Sequence, residues 1–363
     1  MEGREDRAVA TAAAKGLRAA ALGLTAASFA ALAAWCGLAL WFDGPASRPA
    51  AGLLASAFVL LVGGLVARVR GLARGLASAA LPCLLVLAWW LLIPPSNERA
   101  WLPDVARTPS AVQEGSVVTL ASVRDFDYRS ETDYEERWAT RHYDLAALRG
   151  LDLFVSYWGP TLYAHTILSF AFADGQALAV SIETRKERGE SYSALRGLFR
   201  QYELVYVMAD ERDVIRLRTS FRGERVYLYR LATDPDRARA LLEQYLNEAN
   251  ALAQRPAWYN ALTENCTTGI WRNVRAIAPD ARPDWRLLAN GSVDELLYER
   301  GLVDTRLPFA ALRARSEITG AAKRCADRVD FSSCIREGLP LPPAREALER
   351  LTLPAGRDTP TGS

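Results

Sequence analysis

The sequence predicts an α+β protein: an antiparallel sheet packed on helices, preceded by a three-helix transmembrane region. Three observations carry this. Uncharged apolar runs fill residues 19–42, 49–67 and 75–93, each close to the roughly 20 residues that cross a hydrocarbon layer about 30 Å thick. Short segments rich in β-branched and aromatic residues follow, bounded by turn residues. Further on, Ala238, Leu241, Leu242, Tyr245, Leu246 and Leu252 recur at helical spacing.

The first run is too long for a cleaved signal peptide, and two more runs follow it. Trp41, Trp89 and Trp90 stand near run ends, where amphipathic rings sit at the headgroup level. Arg4, Arg7, Lys15 and Arg18 precede the first run, and Arg68, Arg70 and Arg74 separate the second from the third. Only Arg48, beside Asp43, separates the first from the second. Cytoplasmic loops carry the excess of Lys and Arg. Residues 1–18 are therefore expected in the cytoplasm and the spans within 19–95. The remainder is expected outside, which in a bacterium means an inner-membrane protein with a periplasmic domain. Pro94, Pro95 and Pro103 suggest a stiff linker over 96–116. An outer domain over 117–310 and a C-terminal extension over 311–352 follow. The Pro-, Gly- and Thr-rich tail 353–363 is expected to be disordered.

Within the outer domain, 116–121 and 123–128 read as strand-like, and 143–154 as extended or short helical pieces. The segment HTILSFAF (165–172) reads as a strand. Asp174-Gly175 supplies a tight turn, because Gly and Asp tolerate the positive φ angles of a hairpin. LAVSIET (178–184) is the returning strand. Residues 202–208 and 226–230 are two more strands, 213–218 is helical or extended, 234–252 is a helix, and another helix opens near Asn265.

Lys and Arg number 44 and Asp and Glu 42, a balance that excludes a polybasic nucleic-acid binder. There are only two histidines, His142 and His165, and five cysteines with no C-x-x-C pair, which excludes a His-rich or ribbon-type zinc site. No metal or cofactor is expected. A His-dependent mechanism has two candidate bases.

Chemistry concentrates in two places. The first is TENCTTGIW (263–271). Asn265 can cap a helix by accepting from its first free N–H groups, which puts Cys266 in the first turn. The positive end of the helix dipole there favours the thiolate, the nucleophilic form. The same N–H groups can hold an oxyanion. The alternative is a buried, inert thiol. Cys325 and Cys334 are better placed to form a disulfide, closing a short loop and leaving Cys266 as the odd thiol of the outer domain; Cys36 and Cys83 lie inside the spans.

The second place is His165, at the start of its strand. A histidine facing a thiolate can act as general base and then general acid. The hairpin sets residues 183–185 across from His165, so Glu183 can share its face and fix its tautomer. The alternatives are a packing histidine and a surface Glu183–Arg185 pair. His142 lacks a neighbouring acid. The stretch ETRKERGESYSALRGLFRQYEL (183–204) is either a solvated loop or a substrate-binding one, with Arg185, Tyr192 and Arg200 as candidates and the arginines suited to phosphate.

His on a hairpin followed by Asn-Cys opening a later helix resembles the circularly permuted branch of the NlpC/P60 papain-like superfamily, which includes lecithin:retinol acyltransferase-type enzymes. The segments FDYRSETDYEERW, YDLAALRGLDLFVSYWGP, AHTILSFAFADG, SIETRKERGESYSALRGLFRQYELVYVMADERDVIRLRT and WYNALTENCTT are more specific. They resemble the domain once called DUF4105, associated with Lnb-type lipoprotein N-acyltransferases, over roughly 117–305. The resemblance implies thiol-dependent acyl transfer with Cys266 as nucleophile and His165 as its base, a membrane phospholipid as acyl donor and a diacylated lipoprotein as acceptor. A papain-like hydrolase acting on peptidoglycan peptides or lipid esters, and a non-catalytic membrane scaffold, are the competing readings.

Overall fold

The computed structural model describes residues 2–342. The tail 353–363 and residues 343–352 of the expected extension lie outside the described residues. The described residues divide into two units: 2–95 with 195–201, and 96–194 with 202–342.

The first unit holds three helices, α1 (Glu2–Asp43), α2 (Arg48–Arg68) and α3 (Leu72–Leu91). The segments Ala13–Asp43, Arg48–Arg68 and Leu72–Leu91 are long and apolar enough to cross a membrane. Ser47 starts α2 by accepting from the Ala50 N–H, with Pro49 in the first turn, where its missing N–H costs nothing. Cys36, Leu40, Phe58, Val62, Ala79 and Cys83 form the shared interior. The small ones among them, Cys36, Ala79 and Cys83, let helix backbones approach closely. Residues 195–201 belong to this unit. The Phe199 ring lies 4.9 Å from that of Phe42, and the Arg200 guanidinium lies 4.3 Å from the Trp90 ring centroid. Gln201 donates to Asp43 Oδ1 at 2.6 Å.

Among the described residues the second unit is built on ten strands. In chain order they are β1 (Ser110–Glu114), β2 (Val117–Arg124), β3 (Asp127–Tyr128), β4 (Tyr134–Glu135), β5 (Trp138–Asp144), β6 (Leu148–Tyr157), β7 (His165–Phe172), β8 (Ala177–Arg185), β9 (Glu203–Asp210) and β10 (Arg225–Arg230). The main sheet runs β1-β2-β9-β8-β7-β6-β10, with β5 also on β2, while β3 and β4 form a separate ribbon. One pairing departs from the expected antiparallel sheet: β2 and β9 run parallel at Arg124 and Ala209. The chain passes through β5 to β8 before β9 returns beside β2, so no tight hairpin forces opposite directions.

The helices follow in order. α4 (Glu211–Arg216) continues into a π-helical turn, Leu217–Phe221, and α5 (Pro235–Gln254) and α6 (Cys266–Ile277) come next. Then come α7 (Val293–Glu299), α8 (Phe309–Ser316), α9 (Thr319–Arg324) and α10 (Phe331–Cys334). Asp234 caps α5 by accepting from Asp236 and Arg237 N–H. Alternation along the strands divides the interior between the two sheet faces. Leu168, Phe170, Val180, Ile182 and Tyr206 meet Leu242, Tyr245 and Leu246 of α5 on one face. Ile167, Ala179, Val205 and Val207 meet Val214, Ile215, Ala322 and Phe331 on the other.

Residues 96–116 are not a free linker. Trp101 and Val105 are buried, β1 pairs with β2, and Asn97 donates to Leu252 O at 2.9 Å. The apolar Trp and Val in this proline-bearing segment have surface to bury, and the second unit supplies it. Cys325 and Cys334 form a disulfide with their Cα atoms 6.0 Å apart.

Candidate active site

The β7–β8 hairpin carries the first half of the site. Gly175 takes φ +87° in its turn, and the register sets Ile167 against Ser181. Two residues further along each strand, His165 comes opposite Glu183. Their side chains meet, with His165 Nε2 3.1 Å from Glu183 Oε1. Ser181, two positions before Glu183 and on the same face, lies between them. Its hydroxyl is 2.7 Å from His165 Nε2 and donates to Glu183 Oε1 at 2.7 Å. Nε2 is thereby engaged, which leaves Nδ1 for the thiol.

α6 carries the second half. Asn265 caps it, with Oδ1 accepting from Thr267 N–H at 3.0 Å and Thr268 N–H at 2.9 Å. Thr268 Oγ1 accepts in return from Asn265 N–H at 2.8 Å, a reciprocal capping box. The cap consumes two of the donors expected to be open to an oxyanion. It leaves aside the N–H of Cys266 itself, the first residue of the helix. α6 lies close on β8: a Cβ at Gly269 would stand 2.6 Å from Ile182 Cδ1. Glycine here lets the helix start descend onto the sheet end where His165 begins its strand.

The electrostatics follow from this proximity. Burial alone would raise the Cys266 thiol, but the His165 charge and hydrogen bond and the Thr166 N–H bring it down to about 7. Burial alone would lower His165, but the Glu183 carboxylate outweighs it and raises the imidazole to about 9. Glu183 is held well below the usual carboxylate range, burial being overcome by His165 and Arg218. Thiolate and imidazolium thus form a preorganised pair, the charge state a thiol nucleophile requires.

The predicted residues are only partly brought together. Cys266, His165, Glu183 and Asn265 form one group. Tyr192 is half-exposed; its hydroxyl bonds to Tyr259, and both rings feel the Cys266 charge. Arg185 departs from the expected substrate role. It is 2% exposed and donates to Val105 O, Ala106 O and Asn97 Oδ1 at 2.7–3.0 Å. Arg185 shares the face of Glu183, two positions back, but it stands at the very end of β8, where the segment 96–106 folds over it and satisfies the guanidinium. Arg200 belongs to the first unit, where it donates to Ile93 O at 3.1 Å. His142 is exposed on β5, 3.0 Å from Thr119 Oγ1.

Sequence reasoning missed three residues. Ser181 was readable from the Ser-x-Glu spacing on one strand face. Arg218, which donates to Glu183 Oε1 at 2.9 Å, and Asn290, which donates to Cys266 Sγ at 3.4 Å, left no local signal, because each arrives from a remote segment. Among the described residues no group of three His, Cys, Asp or Glu side chains is placed to hold a metal.

Fold and site together define an α+β domain with a buried Cys-His-carboxylate group, in a chain with three helices able to cross a membrane. Residues 134–291 match the family described as the Lnb N-terminal periplasmic domain. The protein is membrane-associated with a periplasmic domain, and the matched stretch contains His165, Glu183, Cys266 and Asn290. No curated protein and no solved structure matches the chain.

Proposed function

We propose that this protein is a thiol-dependent acyltransferase of the bacterial inner membrane. The observation that carries the reading is the Cys266–His165–Glu183 group, with the thiol lowered to about 7 beside a raised imidazole. The Cys266 thiolate attacks an ester carbonyl of a phospholipid. The C–O bond breaks, the His165 imidazolium gives its proton to the departing lysophospholipid oxygen, and a thioester forms on Cys266. Neutral His165 then takes a proton from an incoming amine, which attacks the thioester. An amide forms, and the sulfur leaves as thiolate. The acceptor that suits the family is the N-terminal amine of a diacylated lipoprotein. The Cys266 N–H, at the start of α6, is the donor nearest the developing oxyanion. The permuted papain-like arrangement accounts for the order in the chain, base before nucleophile. In this reading residues 1–18 are cytoplasmic and the site faces the periplasm.

The full chain in detergent is incubated with phospholipid vesicles and Cys266 is analysed by mass spectrometry. An acyl adduct is expected, absent in Cys266→Ala and His165→Ala, and discharged by a peptide with a free α-amine. Free fatty acid formed at the same rate with and without amine would make the protein a hydrolase. Full cellular function in either variant would remove the catalytic reading. A reporter fused after Ser96 that reads cytoplasmic would overturn the topology.

A further inference from the structure

Asn290 lies outside both motifs that mark the site, in a short helical turn, Asn290–Ser292, that follows Trp285–Leu287. Its side chain is 5% exposed and both of its polar atoms are engaged. Oδ1 accepts from Ala164 N–H at 2.9 Å. Nδ2 donates to Ala164 O at 2.6 Å, to Thr267 Oγ1 at 2.6 Å and to Cys266 Sγ at 3.4 Å. Ala164 immediately precedes the base, and Thr267 immediately follows the nucleophile. The amide therefore brackets the start of β7 to the start of α6, the two elements whose relative placement sets the Cys–His geometry.

Two amide hydrogens face three acceptors. One is held by the Ala164 carbonyl, completing a two-bond clamp on one peptide. The other lies between the Thr267 hydroxyl and the sulfur. A thiolate is a far better acceptor than a neutral thiol, and hydrogen bonds to an ionised partner are roughly twice as strong as neutral ones. The shared hydrogen therefore favours the ionised sulfur.

We propose that Asn290 is a further catalytic residue: its side-chain amide donates to the Cys266 sulfur, stabilises the thiolate for attack, and holds the base-bearing strand and the nucleophile-bearing helix in register. This rests on reading Cys266 as the nucleophile. The backbone supports Asn290 from behind. Tyr157 donates to Gly291 O at 2.7 Å, and Gly291 N–H donates to Leu162 O at 3.0 Å. The turn is thus pinned to the loop that leads into His165. The other titratable groups acting on Cys266 are His165, Tyr192, Tyr245 and Tyr259, with Glu183 acting through His165.

The test is the pH dependence of Cys266 alkylation by iodoacetamide in the full-length protein, followed by peptide mass spectrometry. Asn290→Asp keeps the shape and the acceptor to Ala164 N–H but replaces the donor with a negative charge. The alkylation midpoint should move up by at least one pH unit, cutting the rate at pH 7 about fivefold or more. Asn290→Ser, too short to reach the sulfur, should move it the same way by less. Circular dichroism identifies which variants are folded, and a purely structural role would lower the melting temperature with the midpoint unmoved. An unchanged midpoint in a folded variant overturns the proposal, as does wild-type alkylation unaffected by either substitution. Failure of the nucleophile reading is separate: it would show as an ordinary thiol midpoint near 9 in the wild-type protein.

Discussion

Arg218 donates to Glu183 Oε1 at 2.9 Å, and this contact joins that of His165 in holding the carboxylate behind the imidazole ionised. Both side chains are largely withdrawn from water, Arg218 to 5% exposure. Arg218 stands on the π-helical turn that continues α4, and a second bond to Val214 O at 3.0 Å holds its guanidinium in place. π-Helical turns are rare and occur often at functional sites. Here the widened turn presents a cation to a carboxylate that the β-hairpin alone would leave beside only Ser181 and His165.

Glu183 is 27% exposed and keeps His165 and Ser181 as partners when Arg218 is lost. Arg218→Met should therefore destabilise the outer domain by about 1–3 kcal/mol in chemical denaturation, the loss of a hydrogen bond to a charged group. The Arg218 charge lowers both His165 and Glu183, so its loss should also raise the value at which His165 gives up its proton. A titration of the His165 ring by NMR that moved down, or not at all, would contradict this account.

The legible and illegible parts of the site divide by sequence distance. His165 and Glu183 could be paired from the residues alone, because a hairpin turn at Asp174-Gly175 fixes which positions face each other. Asn265 and Cys266 could be placed because capping is decided within four residues. The three apolar runs follow from composition. Arg218 and Asn290 come from segments 35 and 24 positions from the residues they bond, and no local pattern reports such a contact. Arg185 failed for a related reason. A charged residue in a polar run looks exposed, but the segment 96–106 covers it, and its carbonyls satisfy the guanidinium. The parallel β2–β9 pairing was hidden because strand order is set by long connections, not by turns.

The pH profile of thioester formation should be a bell. Cys266 sits at about 7, below its ordinary 9.0, so the thiolate and the stability it contributes are lost as pH falls through 7. His165 sits at about 9, above its ordinary 6.5, so the imidazolium and its contribution are lost as pH rises through 9. The reactive pair is populated between these values, and the rate should be highest there. Glu183→Gln removes the main support of the imidazolium, so the alkaline limb should move to lower pH; a shift of one unit cuts the rate at pH 9 about fivefold. Rates measured from pH 5 to 10 check this; an alkaline limb that stays near 9 in the variant would assign the proton to another group.

Gly291 is confined by its neighbours rather than by its φ angle. A Cβ there would stand 1.7 Å from Thr161 O and 2.6 Å from Leu162 C, both backbone atoms that cannot rotate away. Gly291→Ala must push the 158–164 loop aside, an overpacking cost of about 1–3 kcal/mol. Because that loop leads directly into His165, acyl-enzyme formation should fall more than stability does. Thermal denaturation and the rate of adduct formation, measured on the same preparation, separate the two effects, and an unchanged rate would detach the loop from the site.

The Cys325–Cys334 disulfide and the free Cys266 make opposite demands on the compartment, and both can be read in one labelling experiment. The bond closes a loop of nine positions between α9 and α10. Its half-cystines are buried with Phe331, Ile318 and Ala322 against Val226 and Leu228. Loop entropy gives a bond of this span about 2–3 kcal/mol, so replacing both cysteines with serine should lower the melting temperature by about 5–10 °C for a domain of this size. Disulfides persist in oxidising compartments and not in the cytoplasm, and the bond therefore belongs with a periplasmic outer domain. The chain has five cysteines, of which Cys36, Cys83 and Cys266 are free. Denatured protein from the native membrane should take up three alkyl groups without reductant and five after reduction. Five groups without reductant would mean that the thiols meet a reducing compartment, and the outer placement of Cys266 would fall with the disulfide.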